Sequence, residues 1–267
     1  MGNFFGLFNY NKVGPGVSKN EPKKKGIFEF FDIYFSKFGK LVFLNIIYVI
    51  SCLPVVTFGA ATAGFTYILR AFVRHQHTFV FSDYIEAIKK NWKQATIFGI
   101  IQLFISAAWF FAVVFYFRAS ESNFIFLILF GVCIAMGFFL LFMHYYIYLM
   151  IITFDLKLKQ IYKNAFIFAC IGIKSNIIIT VSIALIIGFL LALMGSLPII
   201  IFIIVIPMII GLIFPATIGL IVNFNAYPVI KKYMIDPVLK EQEQSDKNEE
   251  DNIAPIFTDM GNEKDKA

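Results

Sequence analysis

From residue 27 to residue 235 the chain alternates two kinds of stretch: long apolar runs, and short segments in which large apolar residues recur every three or four positions between charges. Residues 27-40 place Phe28, Phe31, Phe35 and Phe38 at that spacing with Glu29, Asp32, Ser36, Lys37 and Lys40 between them. This period predicts an amphipathic helix lying at a membrane surface. Residues 81-94 repeat it, with Phe81, Ile85, Ile88 and Trp92 beside Asp83, Glu86, Lys89 and Lys93, and with Ser82 as the expected N-cap. Residues 156-167 do so again, Leu158, Ile161, Tyr162 and Phe166 standing among Lys157, Lys159 and Lys163. The apolar runs between and after these segments, at 41-53, 54-73, 95-117, 124-150, 175-194 and 197-222, read as membrane crossings. The expected fold is therefore all-α, a polytopic transmembrane helical bundle of about six crossings arranged as three hairpins, each preceded by an amphipathic helix.

The first hairpin is short. Its leading run meets Pro54 after about 13 residues, roughly 20 Å of helix against a hydrocarbon core of roughly 30 Å. Apart from Asn45 that run is apolar, and apolar character resumes after Pro54 as far as Val73, broken by Arg70. The segment 41-73 is either two tilted crossings or a re-entrant pair.

Charge orients the chain. Of 23 Lys and Arg residues, 22 fall in the arm before residue 41, in 70-93, in 151-174 or after 230, and only Arg118 falls on the opposite side. By the positive-inside rule both termini are cytoplasmic, which requires an even number of passes. The placement is a multi-pass protein of the cell membrane. Nine of the 17 acidic residues lie in the last 28 positions, leaving +11 for the rest of the chain, with Lys23-Lys24-Lys25 the densest run. That excess suits an anionic inner leaflet, and its dispersal along membrane edges argues against nucleic acid.

Composition agrees, at 59% apolar and 18% aromatic residues and a mean hydropathy of +0.78, beyond what a soluble domain of this length carries. Three parts follow: a flexible cytoplasmic arm over 1-26 rich in Gly, Pro and Lys, a single transmembrane domain over 27-235, and an acidic tail over 236-267 expected to be disordered. No short hydrophobic core with a small-residue cleavage site precedes the first helix, so insertion by the crossings themselves is expected. Cys52, Cys133 and Cys170 show no paired spacing and read as small apolar residues.

Candidate chemistry centres on the break. Ser51 to Gly64 combines Pro54, Thr57, Gly59, Thr62 and Gly64 in apolar surroundings, and the last crossing carries a fainter counterpart in Pro215, Thr217 and Gly219. Paired Pro/Gly-interrupted segments can expose backbone to a solute. They can equally be packing seams, where small residues at four-residue spacing let helices approach; packing is the favoured reading. No carboxylate lies within a crossing, which argues against a proton- or sodium-coupled carrier. His144 stands among tyrosines near the expected inner boundary and reads as an interface residue. No nucleophile elbow, phosphate loop, metal-ligand pattern or catalytic carboxylate pair is present, so neither an enzyme nor a cofactor is expected. The row Glu86, Lys89, Lys90, Asn91, Trp92 and Lys93 is the candidate docking surface for a protein partner.

Several of these motifs together, Phe8 to Val17, Pro22-Lys-Lys-Lys25, Leu53 to Ala63, Tyr67-Ile-Leu-Arg70 and Lys90 to Gln94, resemble the YesL family, multi-pass membrane proteins of unknown function from Gram-positive bacteria. The likeness extends to about residue 235. It implies a setting in carbohydrate uptake beside ABC transporters, with an accessory or regulatory part, and it carries over no ligand or catalytic residue.

Overall fold

The computed structural model describes residues 26-196 and 211-252, and among them all regular structure is helical. The expected arm over 1-26 thus lies almost wholly outside the described residues, as do positions 197-210 of the last expected crossing and the end of the acidic tail.

Helix α1, Ile27–Ser36, belongs to a unit of its own. Its rings pair one turn apart, Phe30 with Tyr34 and Phe31 with Phe35, each pair stacked at 6.1 Å.

The second unit starts with α2, Phe38–Cys52. Pro54 ends it, since proline has no amide hydrogen to continue the ladder and disfavours helical backbone in the residue before it. A single 3-10 turn, Val55–Thr57, reverses the chain into α3, Phe58–Val73. The helices are 15 and 16 residues long, about 22–24 Å at roughly 1.5 Å per residue. Each is shorter than the roughly 30 Å a crossing needs.

The next element differs from the expected surface helix followed by a separate crossing. Val80–Ala119 is one uninterrupted 40-residue helix, α4. Its sequence contains no proline, and its one glycine, Gly99, lies well past the junction of the two expected elements, so nothing ends the first segment before the second begins. Helix α5, Phe124–Thr153, returns, its start capped by the Asn123 side chain accepting the Ile125 amide at 2.9 Å. Helices α6, Leu158–Ile171, and α7, Ile173–Ser196, follow. Among the described residues three helices are long and apolar enough to cross a membrane: α4, α5 and α7 over Ile173–Leu193.

Helix α8 is Phe214–Ile230, with Pro215 in its first turn. Proline is favoured there, because the first-turn amides have no partner within the helix. Gly211 and Leu212 are helical and Ile213 is a turn, so the helix breaks just before Pro215 and restarts as α8, in keeping with the sequence expectation of a broken last crossing. The ladder widens to a π-turn over Lys231–Ile235, shortly after Pro228 inside α8, and continues as α9, Asp236–Asn252. Residues 236-252 are thus helical where the acidic composition predicts disorder. Lys240, Glu241, Gln242, Glu243 and Gln244 are good helix formers that extend the ladder running on from α8.

The buried core gathers around α3, whose residues 59-72 are buried apart from Thr62 and Tyr67. Tyr84, Ala87, Ala95 and Phe98 of α4, Tyr145 to Ile151 of α5, Ile161, Ala165 and Phe168 of α6, and Leu220, Ala226 and Ile230 of α8 complete it. Beyond Phe98, α4 buries nothing, and before Tyr145, α5 buries only Cys133.

Candidate functional site

The stretch from Ser51 to Gly64 is a hairpin turn fixed by its own side chains. Thr57 Oγ1 reaches back to the carbonyls of Ser51, at 2.6 Å, and Pro54, at 2.7 Å, so the groups freed by the proline regain a donor. Thr62 Oγ1 donates to the Phe58 carbonyl at 2.8 Å and lies 3.1 Å from the Tyr48 hydroxyl. Tyr48 also stacks on Phe65 with centroids 4.3 Å apart, which sets α2 against α3.

Gly59 and Gly64 act as seats. A Cβ at Gly59 would collide with the Ala95 carbonyl, and one at Gly99 would stand 3.0 Å from Gly59 Cα, so here the two backbones touch. A Cβ at Gly64 would meet Ile88 at 2.8 Å and the Tyr84 ring at 3.0 Å. These contacts set the register. Helix α3 runs beside residues 84-99 of α4, the half that carries the lysines, and the hairpin tip stands level with Gly99. Helix α4 continues some 30 Å past that level, 20 residues at about 1.5 Å each.

The second break is joined to the first hairpin by a residue that the sequence reading passed over as an interruption. Asn45, fully buried on α2, donates from Nδ2 to the Leu212 carbonyl at 2.6 Å and accepts the Ala216 amide on Oδ1 at 2.8 Å. One side chain thus satisfies a carbonyl before Pro215 and an amide after it, the role of a helix cap supplied from 171 positions away. Thr217 Oγ1 donates to Ile213 at 2.9 Å, and a Cβ at Gly219 would run into Leu69 and Phe65 of α3. The Ser51 and Pro54 carbonyls at the first break, and the Leu212 and Ile213 carbonyls and the Ala216 amide at the second, thus have side-chain partners.

At the opposite end of α3, Arg70 is buried. Its Nη1 donates to the Ile152 carbonyl at 3.2 Å and to Thr153 Oγ1 at 2.5 Å, and its guanidinium lies 5.2 Å from the Tyr67 ring centre. A cation at the final carbonyls of α5 complements the helix dipole. Nearby, Gln94 Nε2 donates to the Leu156 carbonyl at 2.5 Å. Helix α5, α6 and α7 are knitted by Asn176, whose Oδ1 accepts from the Tyr146 hydroxyl at 2.7 Å and whose Nδ2 donates to the Ala169 carbonyl at 3.1 Å.

Of the docking row, Glu86, Lys89, Lys90, Trp92 and Lys93 are exposed, while Asn91 turns back to the Ala87 carbonyl at 2.9 Å. Lys93 Nζ lies 5.7 Å from the Trp92 ring centre. Because α4 is continuous, the row is rigidly coupled to the apolar half of the same helix.

One cavity of about 780 Å³ opens beside the hairpin tip, lined by Cys52, Phe58 and Gly59 from the hairpin, by α4 from Thr96 to Trp109 and by α5 from Ile134 to His144. Neither Pro215 nor Thr217 lines it. His144 contributes to this wall, its ring 6.1 Å from Phe98 and 5.6 Å from Tyr148. The signal for the cavity was present in the sequence as the three polar residues of an otherwise apolar run, Thr96, Gln102 and Ser106. No group of three or more His, Cys, Asp or Glu side chains could hold a metal ion among the described residues.

Residues 41–113 match the family model described as "Protein of unknown function, DUF624", the YesL-type domain. The match spans α2, α3 and the larger part of α4, and with them the hairpin turn, the glycine seats, the docking row and one wall of the cavity. Neither the curated proteins nor the solved structures contain a match.

Proposed function

We propose that this chain, YesL-type over residues 41–113, is a non-enzymatic membrane accessory protein that holds a partner through the exposed row Glu86, Lys89, Lys90, Trp92 and Lys93. The observation that carries the reading is the continuity of α4. A basic, aromatic surface stands on the same rigid rod that enters the bilayer, backed by α3 through the Gly59 and Gly64 seats, so it is presented at a fixed height and angle. Trp is among the residue types that anchor protein interfaces, and lysines around it steer an acidic partner surface. The resemblance to the YesL family supports a component of carbohydrate uptake, such as an ABC transporter subunit, as that partner.

In this reading the lysine-bearing end is cytoplasmic, as the charge asymmetry requires, and both termini lie on that side. Helices α4, α5 and α7 cross the bilayer of the cell membrane, and the crossing expected over 197-222 supplies the fourth pass that returns the chain. The α2–α3 hairpin enters from the cytoplasmic face and turns back at Pro54. Its short helices and its register against residues 84-99 of α4 support a re-entrant pair over two full crossings.

The competing reading is a permease that conducts solute through the breaks at Pro54 and Pro215. Closed glycine contacts, the Asn45 bridge and the separation of Pro215 from the cavity weigh against it.

Affinity purification from native membranes, comparing the wild-type chain with Lys89→Glu/Lys90→Glu/Lys93→Glu, tests the docking. A transporter component recovered with the wild type and lost with the variant is the expected result. Recovery of the same partner from both, or of none from either, overturns it.

A further inference from the structure

The cavity beside the hairpin tip has the construction of a ligand site, and we propose that it binds an uncharged lipid alcohol, a long hydrocarbon chain ending in a hydroxyl. Its volume of about 780 Å³ falls within the roughly 300–1,000 Å³ typical of small-molecule sites. Two pins hold its walls apart. At one end the Phe98 ring of α4 meets the Tyr148 ring of α5 edge-on with centroids 5.1 Å apart, beside the backbone contact of Gly59 with Gly99. At the other, the Trp109 indole lies over Gly137, where a Cβ would strike the ring, and donates from Nε1 to the Cys133 carbonyl at 2.9 Å. Helices α4 and α5 are therefore fastened above and below a gap that side chains do not fill.

The rim indicates what enters. Ile100, Leu103, Phe138 and Leu141 are exposed along the apolar stretches of two crossing helices, so the opening faces hydrocarbon and an occupant arrives from the bilayer. The wall contains no Asp, Glu, Lys or Arg, and its histidine, His144, is packed against the Phe98 and Tyr148 rings, so it offers no fixed counter-charge to a phosphate, carboxylate or ammonium head group. An ionic head at this depth would be costly without one.

The wall is nonetheless not purely apolar. Gln102 makes one hydrogen bond, from Nε2 to Ser106 Oγ at 3.3 Å, which leaves its carbonyl oxygen and second amide hydrogen unused. In hydrocarbon an unused amide is expensive, several kcal/mol per group by transfer data. A hydroxyl both donates and accepts, so it can serve Gln102 and Ser106 together. A saturated chain satisfies neither side chain, and a charged head group satisfies them only with an unpaired ion. This inference concerns a different surface from the docking row on α4 and stands independently of it.

The test is photolabelling of the purified full chain in nanodiscs with a diazirine-bearing hexadecanol, read by peptide mass spectrometry, with the corresponding diazirine fatty acid and diazirine phosphatidylcholine as competing chemistries. The expected result is alcohol labelling concentrated on residues 96-109 and 134-144 and at least fivefold above either charged probe. Gln102→Leu, which keeps the side chain's size and suits a lipid-facing helix, is expected to lower alcohol labelling at least fivefold. Ser106→Phe is expected to block it by filling the gap. Gln102→Asn, which retains the amide, keeps most of the labelling and so separates loss of the hydrogen bond from a general disturbance of α4. Equal labelling by all three probes, labels spread over the whole lipid-facing surface, or wild-type labelling in Gln102→Leu each overturn the proposal.

Discussion

The half of the bundle around α3 and the half beyond Gly99 obey different rules. Around α3, side chains close on one another: Ala63, Ile68, Leu69, Tyr84, Tyr146 and Leu149 are all fully buried, and glycines sit where a methyl group would collide. In α4 from Gly99 to Ala119 and in α5 from Phe124 to His144, Cys133 alone is buried. There the apolar side chains turn outward, and lipid takes the place that protein takes around α3. The first region is specified by shape and hydrogen bonding, the second chiefly by being apolar and helical. Packing against small residues and bonds between polar side chains hold helices together in a bilayer, where burial of apolar surface gains little. Both devices concentrate in the first region.

Substitutions can break that contrast, and the largest effect is expected at the Gly59 seat. Gly59→Leu must push apart two backbones, and the expected outcome is loss of the monodisperse species in fluorescence-detected size-exclusion chromatography. Gly59→Ala is expected to cost about 3 kcal/mol or more, since overpacking against backbone leaves nothing flexible to yield. Asn45→Leu comes next. It leaves the buried Leu212 carbonyl and Ala216 amide without partners, an expected loss of about 2–3 kcal/mol, measurable as reduced resistance to unfolding by added SDS. Trp109→Phe removes the bond to the Cys133 carbonyl, which joins α4 to α5 within the second region, and should cost about 1 kcal/mol. Gly131→Ala, in open space on α5, is the smallest effect and has the opposite sign. A gain of a few tenths up to about 1 kcal/mol is expected from helix propensity alone, and a loss as large as that of Gly59→Ala would erase the distinction between the two regions.

The same contrast accounts for what could be read in advance. Apolar length and basic flanks announce α4, α5 and α7, because a lipid-facing helix needs little else. Pro54 announces a break, and the small residues after it announce close packing, both of which the hairpin turn displays. The continuity of α4 was less legible, since a change from charged to apolar composition marks a change of surroundings and not of backbone. The bridge from Asn45 to Leu212 and Ala216 could not be read at all beyond the oddity of an amide in an apolar run, because its partners lie more than 160 positions away. Pro215, like Pro54, announces a break, which stands at Ile213, whereas the bridge that Asn45 lends it from α2 has no local signature. The cavity left its trace in Gln102 and Ser106, but the glycine and tryptophan pins that hold it open belong to three different helices.

The most direct test of the account concerns the depth of the hairpin. In a cysteine-free background, Leu53→Cys at the exposed tip, Glu121→Cys in the loop between α4 and α5 and Phe79→Cys just before α4 would be exposed to a membrane-impermeant maleimide. Labelling would be carried out on intact cells and on inside-out vesicles. The re-entrant arrangement requires Glu121→Cys to react only from outside, Phe79→Cys only from inside, and Leu53→Cys not to react from outside. Reaction of Leu53→Cys from outside at a rate comparable with Glu121→Cys would show that the hairpin crosses the bilayer and would contradict the register on which the account is built.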